Sequence, residues 1–275
     1  MKIHTVRISK DVLMQMSGNE RDFFLLAGHF FNELILLSKL AFMTAKVPLG
    51  KILSRAGITH ALFVDRMLAR KLCEGWRLIR ERYQKSSLSK KYARILDTEA
   101  SKAIKKLNQY FGKSNLLVKI RNRFAFHYDP TELARDYAMI ADLRDDELEM
   151  YLSEEHMNSF YYFCESFITI AMLREAKSSD LKRAFKEISA DIIEVQGWFL
   201  TFVQGFMVAA AGRYSDFEAS ITERVEIEGT PLEDVRFPFF VETSSYRRGR
   251  TRSAAAQIAS LRNGLGQRPR PRPAG

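Results

Sequence analysis

The chain has 275 residues, 46% of them hydrophobic and 20 of them phenylalanine, enough apolar material for one large core. Its two cysteines, Cys73 and Cys164, fall in apolar helical patterns and no basic-apolar leader opens the chain, which reads as reduced core thiols in a cytoplasmic protein and excludes a disulfide scaffold. The net charge is +10, but eight arginines and one glutamate lie between Glu242 and Gly275, so +7 sits there and only +3 in residues 1–241, a weak global argument for nucleic acid.

Lys2–Ser9 alternates enough, through Ile3, Val6 and Ile8, to predict a short strand or an ordered arm. Arg21–Ala45 predicts a long helix, apolar nearly all round and therefore buried on most faces. Within it His29, Asn32 and Glu33 are spaced to meet on one side, as a polar cleft or as a satisfied cluster at a surface edge. Val47–Gly50 breaks the chain, and Thr59 is the expected cap of a second long helix reaching Tyr83, with Leu68, Leu72, Trp76, Ile79 and Tyr83 inward. Its other side carries Arg66, Arg70, Arg77 and Arg80, a row that is either a solvated face or a track for a phosphate backbone. Thr98–Phe111 follows as an amphipathic helix stopped by Gly112.

The next helix is the most informative. Ser114 is its expected cap, and Leu116, Leu117, Ile120 and Phe124 form its apolar stripe. The nine residues Ile120–Tyr128 set Arg121, Asn122, Arg123 and His127 into this apolar run. Pro130 disfavours the helical conformation at Asp129, so the helix ends near His127 or Tyr128, where the negative end of the dipole favours imidazolium. A capping histidine beside a solvated arginine face fits these facts; so does an active site.

The stretch resembles the signature of the HEPN superfamily: an arginine, a polar residue, a short spacer and a histidine. Here Arg121-Asn122 is followed by His127, with five residues between Arg121 and His127. The resemblance implies a helical bundle, metal-independent ribonuclease activity, a role as toxin or phage-defence effector, and a homodimer whose two motifs share one cleft. A sub-branch carries a tyrosine two residues after the histidine; this chain has Asp129 there and Tyr128 next to His127, a departure from that pattern.

Asp129-Pro130-Thr131-Glu132 predicts the start of a capped helix to about Ala141, and Glu147–Leu152 a short strand or turn. Ser153–Lys177 predicts a helix with Met157, Phe160, Cys164, Phe167 and Ala171 on one face. Asp180–Ala211 predicts the last long helix, with a heptad seam from Leu181 through Phe185, Ile188, Ile192, Val195, Phe199 and Phe202 to Phe206, open to use as core or as dimer interface. Its Trp198–Ala211 stretch is the longest apolar run, too short for a membrane span. Arg224–Glu228 and Val235–Val241 predict two extended segments around the Gly229–Pro231 turn, and the Arg/Pro-rich tail beyond predicts disorder.

The expected architecture is thus an all-α, HEPN-like bundle of long antiparallel helices over residues 1–212. A small extended C-terminal segment over 213–242 and a disordered basic tail over 243–275 complete it. No phosphate loop, nucleophile elbow or metal-ligand spacing occurs, so neither metal nor cofactor is expected. RNA supplies its own nucleophile, the 2′-hydroxyl. His127 suits the proton transfer, Arg121 the phosphorane charge, and Asn122 the orientation of the phosphate or of His127. Arg123 and the Arg66–Arg80 row are the expected RNA-binding residues, and RNA, a second copy and an antitoxin protein the expected partners, with no membrane. The competing readings are a non-catalytic module of the same fold binding RNA or protein, and a DNA-binding regulator resting on the tail alone.

Overall fold

The computed structural model describes residues 2–45, 49–124, 134, 137–153, 155–176, 180–216, 221–231, 234–235 and 237–241. Long helices packed together dominate it, but the fold is not all-α: a small two-stranded sheet joins the N-terminal residues to a segment after the last long helix. Strand β1 (Lys2–Val6) pairs antiparallel with β2 (Ile221–Glu226), Lys2 opposite Glu226, with an irregularity between Thr5 and Val6. The Gly229–Pro231 region therefore does not close a hairpin. β2 goes to the N-terminus, and residues 237–241 go elsewhere, with Phe239 on His60 (4.5 Å) and Val241 paired to Asn158.

Helix α1 (Lys10–Gln15) is capped by Ser9, whose hydroxyl accepts from the Val12 N–H, and leads into α2 (Gly18–Thr44). Helix α3 (Lys51–Leu78) starts eight residues earlier than Thr59. Gly50, at φ 95°, supplies the left-handed turn that lets the chain re-enter a helix at Lys51, and Thr59 is simply carried inside it. The last turns of this rod widen into a π-helix over Ile79–Gln84. Short helix α4 (Leu88–Tyr92) precedes α5 (Thr98–Phe111), where the Asp97 carboxylate accepts from the Ala100 N–H at 2.7 Å.

Helix α6 (Leu116–Phe124) carries the arginine part of the motif. Tyr137–Asp142 and Asp145–Glu147 are 3-10 turns rather than α-helix, and residues 125–133 lie outside the described residues. Helix α7 (Tyr162–Arg174) is shorter than the spacing over Ser153–Lys177 predicts. Phe160 exchanges two backbone hydrogen bonds with Tyr151, so the chain is extended there. With that start lost, the expected face holds only in part: Phe160 and Ala171 are buried, but Met157 and Cys164 are exposed, and Met172 and Leu173 turn inward beside Ala171. Cys164 is thus not a core thiol.

Helix α8 (Leu181–Tyr214) is the axis of the bundle. Ile188, Ile192, Val195, Phe199, Phe202 and Phe206 are buried within this one chain, each contributing roughly 2 kcal/mol of hydrophobic stabilisation. The seam is core, because α2, α3 and α5 all pack on α8 and use its apolar rows. Phe206 meets Phe23, Tyr83 and Tyr92, and Phe199 meets Phe30. Phe30 in turn lies against Gly75, where a Cβ would come within 2.3 Å of its ring, so the α2–α3 crossing requires glycine. Partners such as Ser38 with Gln196 and Glu33 with Lys71 make α2 antiparallel to both α8 and α3.

Two helices, α2 and residues 183–214 of α8, are long and apolar enough to cross a membrane, although no uninterrupted run suggests it. Polar residues such as Asn32 and Gln204 break the runs, yet the mean hydropathy of each helix stays high. Both helices carry the central faces of the bundle.

Polar clamps finish the packing. The fully buried Glu20 carboxylate accepts from Lys91, Tyr92 and Tyr214, joining α2, α4 and α8. Burial alone raises its pKa; the three donors outweigh that and hold it below the ordinary value. Arg55 reaches Asp146 (2.8 Å), Glu149 (2.6 Å) and the Tyr151 hydroxyl (2.8 Å) under the ring of Tyr162, fastening residues 145–162 to the first half of α3.

Candidate functional site

The motif helix is set by its first residues. Asn115, rather than Ser114, is the cap: its side-chain oxygen accepts from the Val118 N–H at 3.0 Å. Its amide donates back to the carbonyls of Tyr110 and Lys113, which ties α6 to the end of α5. Leu117 and Ile120 are fully buried, so the next residues, Arg121 and Asn122, emerge at the edge of the helix.

There the Arg121 guanidinium donates to Glu74 of α3 at 3.2 Å and to the side-chain oxygen of Asn122 at 3.0 Å. The other Glu74 oxygen takes Arg77 at 2.8 Å. One carboxylate is thus gripped by two guanidiniums, leaving an excess positive charge and spare N–H donors. Arg121 keeps 39% of its side-chain surface open and Arg77 71%, so both can reach an incoming anion. Cys73 lies under this pair; burial pushes its thiol up to about 12, against a small opposing pull from Arg121, and it has no thiolate to offer at neutral pH. Glu74 is the residue sequence reasoning missed. On one chain it is only an acid among arginines, and nothing in its spacing foretells a partner on α6.

His127 lies outside the described residues, three positions beyond Phe124, the last residue of α6. Arg123 turns away from Arg121: it pairs with Glu175, just past α7, and lies 5.1 Å from the ring centre of Phe124, while Lys119 approaches the same carboxylate at 3.9 Å. This makes Arg123 a strut between α6 and α7.

The row on α3 is divided. Arg66 is buried and pairs with Glu165 of α7 at 3.0 Å. Arg70, Arg77 and Arg80 are exposed, Arg80 paired with Glu81 and Arg77 with Glu74. The helical spacing correctly puts all four on one face; α7 covers the Arg66 end of it.

His29 and Asn32 are on the outer face of α2 and exposed, and His29 Nε2 is 3.4 Å from Glu33, which binds Lys71 of α3 at 2.8 Å. They form an edge cluster bridging α2 to α3. Lys71 and Glu74 are one helical turn apart, so this cluster flanks the Arg121 group along α3. Among the described residues, no group of three or more His, Cys, Asp or Glu is placed to hold a metal ion.

Comparison with family models, with curated proteins and with solved structures finds no match for this chain.

Proposed function

We propose that this chain is a metal-independent endoribonuclease of the HEPN type, acting as a toxin or phage-defence effector. The observation that carries the reading is the Arg121–Asn122 pair, presented to solvent and oriented by Glu74, at the start of the motif that ends in His127. In the reaction the ribose 2′-oxygen attacks phosphorus as His127 removes its proton. The bond from phosphorus to the 5′-oxygen breaks, and that oxygen takes a proton from water, leaving a 2′,3′-cyclic phosphate and a 5′-hydroxyl while His127 returns its proton to solvent. The Arg121 guanidinium neutralises charge on the phosphorane, and Asn122 holds Arg121 in place through its side-chain oxygen. No cofactor enters.

The homodimer with a shared cleft rests on the family resemblance alone. The α8 seam is consumed as core, so a second copy has to dock on another surface. An antitoxin protein remains the expected partner in such a system.

The test is an RNA-cleavage assay with mapped ends, run with and without EDTA. The proposal expects cleavage that survives chelation, 2′,3′-cyclic phosphate ends, and loss of activity in both Arg121→Ala and His127→Ala. RNA that is bound and never cut makes the chain a non-catalytic binding module instead.

A further inference from the structure

Residues 75–124 carry fourteen Lys and Arg against three Asp and Glu, a net +11 that exceeds the charge of the whole chain. Part of this charge is used internally. Lys91 serves Glu20, Lys119 and Arg123 serve Glu175, and Arg80 and Lys85 share Glu81. Arg82, Lys90, Arg94, Lys105 and Lys113 remain exposed, with no carboxylate partner among the described residues.

The fold brings two of these, Lys105 and Lys113, to the same side as the Arg121 group. Arg77, Arg80 and Gln84 follow one another along α3 and its π-helical end. The Gln84 amide donates to Asn108 at 2.7 Å, which joins that row to α5. The outward side of α5 carries Lys102, Lys105 and Gln109 at helical spacing, all exposed. Lys113 sits at the junction, where Asn115 at the head of α6 holds its carbonyl at 3.1 Å.

The face also lacks something. Trp76 and Phe111 stack on each other at 5.1 Å, and every aromatic ring in residues 75–124 is buried or half-buried against the core. Ile95 is the one large exposed apolar side chain there. Binders of single strands stack bases on open rings; a face with cations and no open ring reads phosphates only. Double-helical RNA presents phosphates in a regular array and hides its bases.

We infer that the α3–α5 face binds the phosphate backbone of double-helical RNA, such as the stem of a hairpin, and delivers an adjoining phosphate to Arg121. The choice of RNA rests on the ribonuclease reading; the choice of a duplex rests on the face itself.

The experiment measures binding of the full chain to an RNA duplex, a single strand and a DNA duplex of equal length over a salt series. Lys105→Glu/Lys113→Glu changes two exposed, unpartnered side chains. Lys39→Glu/Lys186→Glu makes the same charge change on the outer faces of α2 and α8, where both lysines are exposed. The inference expects the first variant to lose about tenfold in duplex-RNA affinity at physiological salt, with a salt slope shallower by about two, and the second to lose far less. Equal losses in both variants, tighter binding of the single strand, or equal binding of the DNA duplex overturns it. Cleavage is scored separately. Cleavage by the parent chain with unchanged binding in Lys105→Glu/Lys113→Glu sinks the inference alone. Binding lost in that variant with no cleavage by the parent sinks the ribonuclease reading alone.

Discussion

Arg55 and Arg121 both grip carboxylates across α3, and the contrast between them separates an arginine of the fold from an arginine of a site. Arg55 keeps only 9% of its side-chain surface open and is met by Asp146, Glu149, the Tyr151 hydroxyl and the Tyr162 ring. Each of its charged neighbours belongs to the segment it fastens down. Arg121 is four times as open, held from one side by Glu74 and Asn122 and, among the described residues, met by no carboxylate on the other. A desolvated, fully partnered guanidinium stabilises; a half-solvated one held in place can still meet a phosphate.

The largest effect that tests this contrast is catalytic. Arg121→Ala should lower RNA cleavage by about 100-fold or more, the size seen when one charge-stabilising donor is removed. Its melting temperature should stay near the parent value, and a clear drop would put Arg121 among the arginines of the fold. Arg55→Ala should do the reverse. Its loss should cost about 2 kcal/mol in urea melts, less than a fully buried pair, because Asp146 and Glu149 stay partly solvated. An unchanged midpoint would show that residues 145–162 are fastened by something else.

The pH dependence sharpens the fold side. Hydrogen bonds from Lys51 and Tyr151 hold Glu149 down to about 2, so its contribution is present above the ordinary value of 4.5 and lost as pH falls toward 2. Burial pushes Asp65 up to about 6 despite the Ser189 hydrogen bond and neighbouring Arg66. The folded state then binds more protons between about 4 and 6, so stability falls as pH rises through that window. Glu149→Gln should flatten the lower slope and Asp65→Asn the upper one. Parent-like slopes in both variants would remove these groups from the account.

Arg77→Ala should have the smallest effect, a few-fold loss in RNA cleavage with the fold intact, because this mostly exposed side chain shares Glu74 with Arg121. A loss as large as that of Arg121→Ala would make the two guanidiniums equal members of the site.

Much of this is legible in the sequence. The long helices, the Thr98–Phe111 amphipathic helix and the inward seam from Ile188 to Phe206 follow from apolar spacing. Spacing misled at 153–161, where a helix-like pattern is overridden by the backbone pairing of Tyr151 with Phe160. It was silent at Gly50, because one residue at positive φ moves a helix start without leaving a periodic trace.

The residues of the candidate site divide the same way. The order Arg121-Asn122 and the charge of residues 75–124 are properties of the sequence by itself. Which arginines stay open is not. Arg66 is covered because α7 crosses that end of α3, Arg123 is drawn off by Glu175, and Arg121 finds Glu74 forty-seven residues away. Periodicity assigns a residue to a face of its own helix. Only the packing of the other helices decides whether that face meets a carboxylate, a neighbouring helix or water, since these contacts join residues far apart in the chain.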